Sequence, residues 1–362
     1  MGFSPTILRK LYPTDGLFLK RMQNRRIFLH LHPAGRNPEF QVIHMKVLIT
    51  GSSGSIGSAV ASSLASKKIP VVGLDIRDLP GLAGNEYYTF HNCSITEKEK
   101  LGSIFMEERP THVIHLASTF HKIRDRQLEY DIDVGGSANI LDLCNRTPSV
   151  VQLVFSSSAT IYGAHRDNPE WISETDPVRP GKYVYGLNKK HIEDMFLNSP
   201  VREDLNRVLC RICTVIGPTY NKPKTIVSML LKIGWLPSFT RKNRVQFIHT
   251  DDVSELIYQI INDNEIKGVY NLAPDSCSPI DGLVPGKKFI WIPLGLVKTV
   301  ISILWPLKLL NLEPAGVNAS VYPIVIDPGK IKSRYNYTFR YSSSEAFEDV
   351  KKRNMIPADA KF

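Results

Sequence analysis

From residue 45 onward, short runs of β-branched and aliphatic residues alternate with segments in which apolar positions recur with a helical period. Each apolar run between turn residues predicts a buried strand, and each longer periodic segment predicts a helix. The predicted strands are MKVLIT, PVVGLDI, HVIHLAS, VQLVFSS, RVLCRICTVIG, VQFIHT and GVYNLA, with helices near residues 97–108, 135–145 and 185–197. Because such alternation buries a parallel sheet between two helical layers, the predicted fold class is α/β with a doubly wound parallel sheet.

The same pattern divides the chain into three regions. Residues 45–273 carry the alternation and predict the main domain, with residues 219–245 assigned in part to a second lobe. Residues 274–362 are punctuated by proline and lack the alternation, so they are interpreted mainly as a smaller C-terminal substrate-binding lobe. Residues 1–44 have no sustained period and contain four prolines. They are interpreted as a disordered extension, or as the product of an upstream start codon assigned in error.

Residues 289–312 form the most apolar stretch of the chain. Lysines 298 and 308 and prolines 293 and 306 interrupt it, so it lacks the roughly 20 apolar residues that a membrane-spanning helix needs. A buried or cleft-lining helix is the preferred interpretation, and attachment to a membrane surface is the less favoured alternative.

Charge and cysteine content narrow the class of protein. The formal net charge is +10, and half of the surplus lies in residues 1–44. The remaining positive charge suits an enzyme that handles an anionic cofactor and a small-molecule substrate, and it argues against nucleic-acid binding.

Five cysteines, an odd number in apolar or loop segments, predict a reducing, cytoplasmic location. Cys210 and Cys213 form a CxxC, but on a strand their side chains would point to opposite faces, so no metal site is predicted.

The segment KVLITGSSGSIG places three spaced glycines between a predicted strand and a predicted helix. Gly51 permits a tight turn, Gly54 a close approach of the backbone to a pyrophosphate, and Gly57 close packing of the helix on the strand. Asp75, at the end of the next strand, lies where a carboxylate accepts hydrogen bonds from a ribose and repels a 2′-phosphate. NAD is therefore favoured over NADP, although Arg77 lies close enough to bind such a phosphate.

Two segments carry residues suited to proton transfer. Ser158 ends a predicted strand in VFSSSATIYG, and Tyr185 precedes Lys189 by one helical turn in YVYGLNKKHIED. A nearby ammonium is expected to lower the pKa of the phenol, so that Tyr185 can carry a proton while Ser158 binds the substrate oxygen. The sequence therefore predicts hydride transfer to or from a nicotinamide, with Ser158, Tyr185 and Lys189 as catalytic residues.

These motifs together resemble the extended short-chain dehydrogenases/reductases, the family that includes NAD-dependent sugar epimerases and dehydratases. The resemblance runs from Met45 to the C-terminus and is carried by TGSSGSIG, HLAS, VFSSSATIYG, YGLNK, VQFIHTDDV, GVYNLA and the segment VIDPGKIKSRYNYTFRYSSSEAFED. It implies a Rossmann fold and a homodimer formed through the helices near residues 135–145 and 185–197. The cofactor contacts that it implies are Gly51, Ser53, Gly54, Ile56, Gly57, Asp75, Ile76, Ser94, Ile95, Leu116, Ala117, Ser118, Ser156, Tyr185 and Lys189.

The sequence departs from the family pattern at several positions. Ser94 replaces an acidic residue that usually meets the adenine amine, and Asp133 replaces a frequent asparagine. Thr214 and Val245 stand where sugar-nucleotide enzymes commonly have an asparagine and a diphosphate-binding arginine. The anion-binding half of a nucleotide-sugar pocket is therefore expected to be incomplete.

Dehydratases of the family carry an Asp-Glu pair directly after the residue that matches Ser158, whereas this chain has Ala159 and Thr160. Three functions remain open. The first is an epimerase or dehydrogenase of a sugar or nucleotide-sugar, and the second acts on an apolar, steroid-like or isoprenoid-like alcohol, suggested by the segment around Trp291. The third is a dinucleotide-binding protein without catalysis.

Overall fold

The computed structural model describes residues 27–31, 40–119, 125–218, 227, 230–231, 234–238, 244–304, 318–319 and 321–355. Its strands are β1 (Ile27–Leu31), β2 (Phe40–His44), β3 (Val47–Thr50), β4 (Val71–Asp75), β5 (Tyr88–Asn92), β6 (His112–His115), β7 (Gln152–Ser158), β8 (Asn206–Ile212), β9 (Thr214–Ile216), β10 (Trp235–Ser238), β11 (Arg244–Val245), β12 (Phe247–His249), β13 (Gly268–Leu272), β14 (Ser278–Pro279) and β15 (Lys288–Trp291). Its helices are α1 (Ser55–Ser66), α2 (Lys98–Glu108), α3 (Arg126–Tyr130), α4 (Gly136–Arg146), α5 (Val184–Asn198), α6 (Thr250–Ile261), α7 (Ile280–Leu283), α8 (Leu294–Leu304), α9 (Gly329–Tyr335) and α10 (Ser343–Met355).

Seven strands form the central sheet in the order β13–β8–β7–β6–β3–β4–β5, and every neighbouring pair is parallel. The chain winds outward from β3 in one direction and then returns to continue from β6 in the other. The predicted doubly wound parallel sheet is thereby confirmed. In such sheets ligands bind beyond the carboxyl ends of the strands, where the order reverses, which is between β3 and β6 here.

Both faces of the sheet are covered, which explains why its strands are apolar at consecutive positions. Within β3, Val47 and Ile49 pack into a core cluster on the side of α1 and α6, whereas Leu48 packs into a second cluster on the side of α2, α4 and α5. A third and smaller cluster joins α7 and α10 to β12. Its members are Ile216, Val227, Leu230, Phe247, Ile280, Leu283, Val284, Ala346, Phe347 and Val350.

Seven strands of the described part lie wholly or partly outside the predicted set: β1, β2, β5, β10, β11, β14 and β15. The pattern passes over β5, an edge strand whose side chains are only partly buried or exposed and therefore form no apolar run. Within the predicted N-terminal extension, β1 and β2 pair antiparallel, and both contain the aromatic and β-branched residues typical of strands. The remainder of residues 1–44 lies almost wholly outside the described part of the chain.

The segment RVLCRICTVIG forms two strands instead of one. The break falls at Cys213, after which β9 leaves the central sheet and pairs with β12. Cys210 and Cys213 consequently pack in the same core cluster, and not on opposite faces as strict alternation requires. Burial raises the pKa of the Cys210 thiol to about 12 and also raises the pKa of the Cys213 thiol. Both thiols are therefore protonated at neutral pH.

In the described part, the apolar stretch after residue 288, which the sequence interprets as a buried or cleft-lining helix, is not one continuous buried helix. It begins with an exposed strand, β15, and Pro293 separates this strand from the eleven-residue helix α8. Residues 305–312 lie outside the described part. No helix among the described residues has both the length and the apolar character needed to cross a bilayer.

Candidate active site

The glycine turn between β3 and α1 lies at the point where the strand order reverses. Gly51 has a φ of +70°, and its N–H donates to the Leu74 carbonyl at 2.8 Å. A Cβ atom at Gly51 would lie 2.7 Å from the Ala117 nitrogen, and one at Gly57 would lie 2.0 Å from the Gly51 carbonyl oxygen. The turn is therefore packed backbone to backbone, which leaves the first turn of α1 facing the crevice as an anion site.

Asp75 at the end of β4 is held beside this turn. Its Oδ2 accepts the Ser53 N–H at 3.0 Å and its Oδ1 accepts the Arg77 N–H at 3.2 Å. The carboxylate is thus fixed by two main-chain donors, while the side chain of Arg77 is exposed. Such an arrangement can accept hydrogen bonds from two ribose hydroxyls, as the sequence predicts.

Other features of the crevice also fit a dinucleotide. Ile76 exposes 65% of its surface, which an adenine ring could cover. The Ser118 Oγ is buried and has no hydrogen-bond partner among the described residues. Ile95 packs against Gly136, where a Cβ would lie 2.5 Å from the Ile95 side chain. The residues present therefore fit NAD.

The other predicted cofactor contacts are distributed over the same edge. Leu116 and Ala117 follow β6 and are tied to Thr50, whose carbonyl accepts the Leu116 N–H at 3.1 Å. Ile56 lies in the first turn of α1 beside Gly54, which caps that helix. Ser94 lies near the start of α2, where its hydrogen bonds are made with Glu97 and Thr96.

The three predicted catalytic residues meet at the carboxyl end of β7. Tyr185 and Lys189 are both buried on α5, and the side chains of Tyr185 and Ser158 are hydrogen-bonded. The Lys189 Nζ donates to the Ser156 carbonyl at 2.9 Å and lies 5.8 Å from the centre of the Tyr185 ring. A phenol, a hydroxyl and an amine are thus gathered at the carboxyl edge of the sheet, the edge that also carries the glycine turn.

The electrostatics of this group differ from the sequence expectation. Burial raises the pKa of the Tyr185 phenol, the negative charge of Asp133 raises it further, and the hydrogen bond from Ser158 only partly offsets both. Burial lowers the pKa of Lys189 to about 8, although Asp133 acts in the opposite direction. The expected lowering of the Tyr185 pKa by Lys189 is not found, because burial and the negative charge of Asp133 raise that pKa.

Asp133 is a buried charge at the site that the sequence pattern did not assign a role. It lies in a single π-helical turn, Asp131–Gly135, which connects α3 to α4. Its carboxylate accepts the Thr119 N–H at 2.8 Å and the Thr119 hydroxyl at 3.0 Å. The only signal in the sequence was its position as a substitute for a frequent asparagine. The π turn, an insertion often found at functional sites, places its charge close to Tyr185 and Lys189.

A second buried network lies directly behind the catalytic residues. Glu193, one turn after Lys189 on α5, accepts the Ser157 hydroxyl at 2.8 Å and forms a buried ion pair with Arg211 of β8. Arg211 also donates to the Tyr162 hydroxyl at 2.8 Å, which in turn donates to Asn271 of β13. The network fixes α5 against three neighbouring strands.

Thr214 and Val245 are the two positions at which the sequence departs from the pattern of sugar-nucleotide enzymes. Thr214 is exposed and Val245 is partly buried, and neither supplies a charge. The adjacent Arg244 does carry one, and its guanidinium donates to Glu170 at 2.7 Å. A cation is therefore present one residue away from the expected position, but it is already paired.

Comparison with known proteins identifies the family of this chain. The family model described as "NAD dependent epimerase/dehydratase family" matches residues 47–273, which is more than half of the chain. This chain belongs to the NAD-dependent epimerase/dehydratase family. The predicted membership is confirmed, and the site described above lies entirely within the matched residues.

Individual relatives match shorter parts. The chain is 27% identical over 235 residues to protein CapI of Staphylococcus aureus, covering 60% of this chain and 69% of CapI. It is 35% identical over 162 residues to a UDP-glucose 4-epimerase of Neisseria meningitidis, covering 41% of this chain and 46% of that enzyme. The chain thus spans less than half the length of that epimerase.

The fold is also found in solved structures. The enzyme WbmG of Bordetella bronchiseptica, in complex with NAD and UDP, is 19% identical, with a TM-score of 0.68 over 86% of this chain and 94% of WbmG. This likeness supports the assignment of the fold.

Proposed function

We propose that this chain is an NAD-dependent epimerase or dehydrogenase that acts on a secondary alcohol of a sugar or nucleotide-sugar. The observation that carries the proposal is the group of Ser158, Tyr185 and Lys189 at the carboxyl end of β7, on the same edge of the sheet as the glycine turn and Asp75. Membership of the NAD-dependent family supports the same assignment.

In this proposal each residue has a separate task. NAD, when bound, supplies a nicotinamide that accepts or donates hydride. Ser158 holds the substrate oxygen by a hydrogen bond, and the Tyr185 oxygen takes or returns the hydroxyl proton. Lys189 is anchored through the Ser156 carbonyl at 2.9 Å, and its amine lies within the same buried site to exchange a proton or favour the phenolate.

NAD is proposed over NADP because of Asp75. Its carboxylate is fixed by two main-chain donors and would face a 2′-phosphate with like charge. The exposed Arg77, whose main-chain N–H donates to Asp75, carries a positive charge that could compensate.

Simple oxidation–reduction or epimerisation is favoured over dehydration. Ala159 and Thr160 follow Ser158, and neither supplies the acid and base that elimination of water requires. An apolar alcohol is the second candidate substrate, and the uncharged Val245 and Thr214 on the substrate side are the observations that favour it.

A substrate panel tests the proposal. The full chain with NAD is incubated with UDP-, GDP- and dTDP-sugars and, separately, with hydroxysteroids, while reduced cofactor and product composition are followed. Turnover of a nucleotide-sugar is the expected result. Turnover restricted to the apolar alcohols would favour the second candidate, and NAD binding without any turnover would contradict the assigned activity.

Substitution of the proton carrier tests the mechanism. Tyr185→Phe is expected to lower kcat by about 100-fold or more, because it removes the only proton that the phenol can transfer. NAD affinity, measured by calorimetry, should change little. Tyr258→Phe, on α6 and away from the site, is the matched control and should keep full activity. Loss of NAD binding in parallel with turnover would mean that Tyr185 serves the cofactor instead of the reaction.

The assembly and location predicted from sequence stay proposals. A homodimer through α4 and α5 is supported by the exposed apolar side chain of Leu197 on α5 and by those of Leu128 and Tyr130 on α3, which precedes α4 in the chain. A cytoplasmic location is supported by the five cysteines, all of which are free thiols.

A further inference from the structure

Exposed apolar side chains are concentrated in one small part of the molecule. Twelve large hydrophobic residues in the described part are exposed, and seven of them lie on β10, β15 and α8. We refer to these seven as the β15–α8 surface: Trp235, Phe289, Ile290, Trp291, Leu296, Val300 and Ile303. Isolated exposed apolar residues are ordinary, but a concentration of this kind marks an interaction site.

Helix α8 carries three of these exposed apolar residues. Leu296, Val300 and Ile303 follow one another at spacings of four and three residues, so they form a stripe along one face of α8. This stripe is exposed, whereas Ile301 on another face is buried. Helix α8 therefore packs one apolar side inward and presents a second apolar side outward, where a surface helix normally has polar residues.

The strand is equally unusual. All four residues of β15 are exposed, and Trp291 exposes 69% of its surface. The strand pairs only with β10 among the described residues, in a two-stranded sheet that sets Trp235 opposite Lys288. Two tryptophans and a lysine thus lie within one small exposed unit.

The sequence segment that contains β15 and α8, residues 282–312, carries only positive charges. The sequence contains no Asp or Glu between Asp281 and Glu313, and its charged residues there are Lys287, Lys288, Lys298 and Lys308. Apolar and aromatic side chains interleaved with lysine are the composition of segments that lie in the interface of an anionic bilayer. Lysine stems cover apolar surface while their ammonium groups reach the phosphates.

The length of α8 determines how this helix could contact a bilayer. Helix α8 has eleven residues and is therefore about 16 Å long at 1.5 Å per residue. A bilayer core is about 30 Å thick, so the helix can only lie along the surface. A second copy of this chain fits less well, because a symmetric contact would bring the lysines of both copies together.

We propose that the β15–α8 surface binds the surface of an anionic phospholipid bilayer. Trp291 and the stripe on α8 enter the boundary between headgroups and acyl chains, while Lys287 and Lys288, beside β15, contact lipid phosphates. The enzyme would then work on the membrane surface, with the catalytic crevice carried by the central sheet.

Vesicle flotation with the full chain tests the proposal. The protein should float with vesicles of equimolar phosphatidylcholine and phosphatidylglycerol, bind vesicles of phosphatidylcholine alone much more weakly, and dissociate as salt is raised. The tryptophan emission should shift to shorter wavelength on binding. Failure of the wild-type protein to bind the mixed vesicles overturns the proposal.

Two sets of variants separate the apolar contribution to vesicle binding from the ionic contribution. Trp291→Ser with Leu296→Ser and Val300→Ser is expected to lower the partition coefficient by about ten-fold or more, because it removes apolar area that would leave water. Lys287→Gln with Lys288→Gln should lower the partition coefficient on anionic vesicles only. Met106→Ser, which alters the most exposed apolar side chain outside the surface (75%), should bind like wild type.

Two other outcomes would assign the surface to a different occupant. If the triple serine variant keeps vesicle binding but changes from dimer to monomer in light scattering, the surface is an interface between copies and the proposal is wrong. If that variant instead raises KM for an apolar alcohol without changing vesicle binding, the surface belongs to the substrate pocket. NAD affinity depends on the glycine turn, Asp75 and α5, none of which belongs to the β15–α8 surface. Its measurement therefore reports that each variant is folded.

Discussion

At the scale of single residues, one buried carboxylate modifies the effect of burial on the site. Burial is the main cause of both pKa shifts; the negative charge of Asp133 adds to the rise of the Tyr185 pKa and opposes the fall of the Lys189 pKa to about 8. A negative charge disfavours the phenolate and favours the ammonium, so the proton is held more firmly in both cases. Hydrogen bonds from Thr119 fix the Asp133 carboxylate in place.

Replacing this charge should change the pH dependence of the reaction. Asp133→Asn keeps the shape of the side chain but removes the negative charge, so the pKa of Tyr185 and that of Lys189 should both fall. The rate of alcohol oxidation, which needs the phenolate, should then rise at lower pH, with the acid limb of the kcat/KM profile displaced downward by about one unit. Asp131→Asn, an exposed neighbour in the same turn, is the control. An unchanged profile in Asp133→Asn would show that its charge does not act on the site.

At the scale of elements, the junction of β3 with α1 determines where a pyrophosphate could lie. The first turn of α1 can approach the strand only because residue 57 has no side chain. The same approach brings the Gly51 carbonyl under the helix and leaves the N–H groups of α1 directed at the crevice.

A methyl group at this junction should push the helix away. Gly57→Ala would place a Cβ 2.0 Å from the Gly51 carbonyl oxygen, and the forced backbone shift should cost about 1–3 kcal/mol of the free energy of unfolding. Urea denaturation measures this cost, and NAD affinity should fall with it. Gly102→Ala lies inside α2 with its nearest neighbouring atom 4.0 Å away, so it should be neutral or stabilising by up to about 1 kcal/mol. Equal effects of the two substitutions would contradict the packing argument.

At the scale of the whole molecule, the Glu193–Arg211 pair connects the catalytic helix to the sheet and to the strands beyond it. Both side chains are almost completely buried, and Tyr162 and Asn271 extend the network to β13. A buried ion pair contributes little net stability, but it requires both partners, because a single buried charge is costly.

Removal of one partner should therefore destabilise the entire fold. Arg211→Met leaves Glu193 buried without its cation and is expected to lower the free energy of unfolding by about 3–5 kcal/mol. The Lys190–Asp194 pair on the outer side of α5 offers a matched control, since Lys190→Met should cost less than about 0.5 kcal/mol. Thermal and urea denaturation of both variants distinguish them, and similar losses would mean that burial of the pair is not what matters.

The sequence was most informative where the signal is local. Strand positions in the central sheet, the glycine turn and the one-turn spacing of Tyr185 and Lys189 all depend on neighbours in the chain. The edge strand β5 was missed because half-exposed side chains carry no apolar run. The break at Cys213 depends on pairing between β9 and β12, which are separated by about thirty residues and leave no mark in local periodicity.

The chain by itself determined the family, the doubly wound order of its elements and the residue types gathered at the crevice, because periodicity and motif spacing are properties of consecutive residues. Only the tertiary structure decided the sign of the Tyr185 pKa shift, the role of Asp133 and the outward direction of the apolar stripe on α8. Each of these depends on burial and on charges brought together from distant segments, and desolvation and Coulomb energy vary with distances in space that the order of residues does not specify.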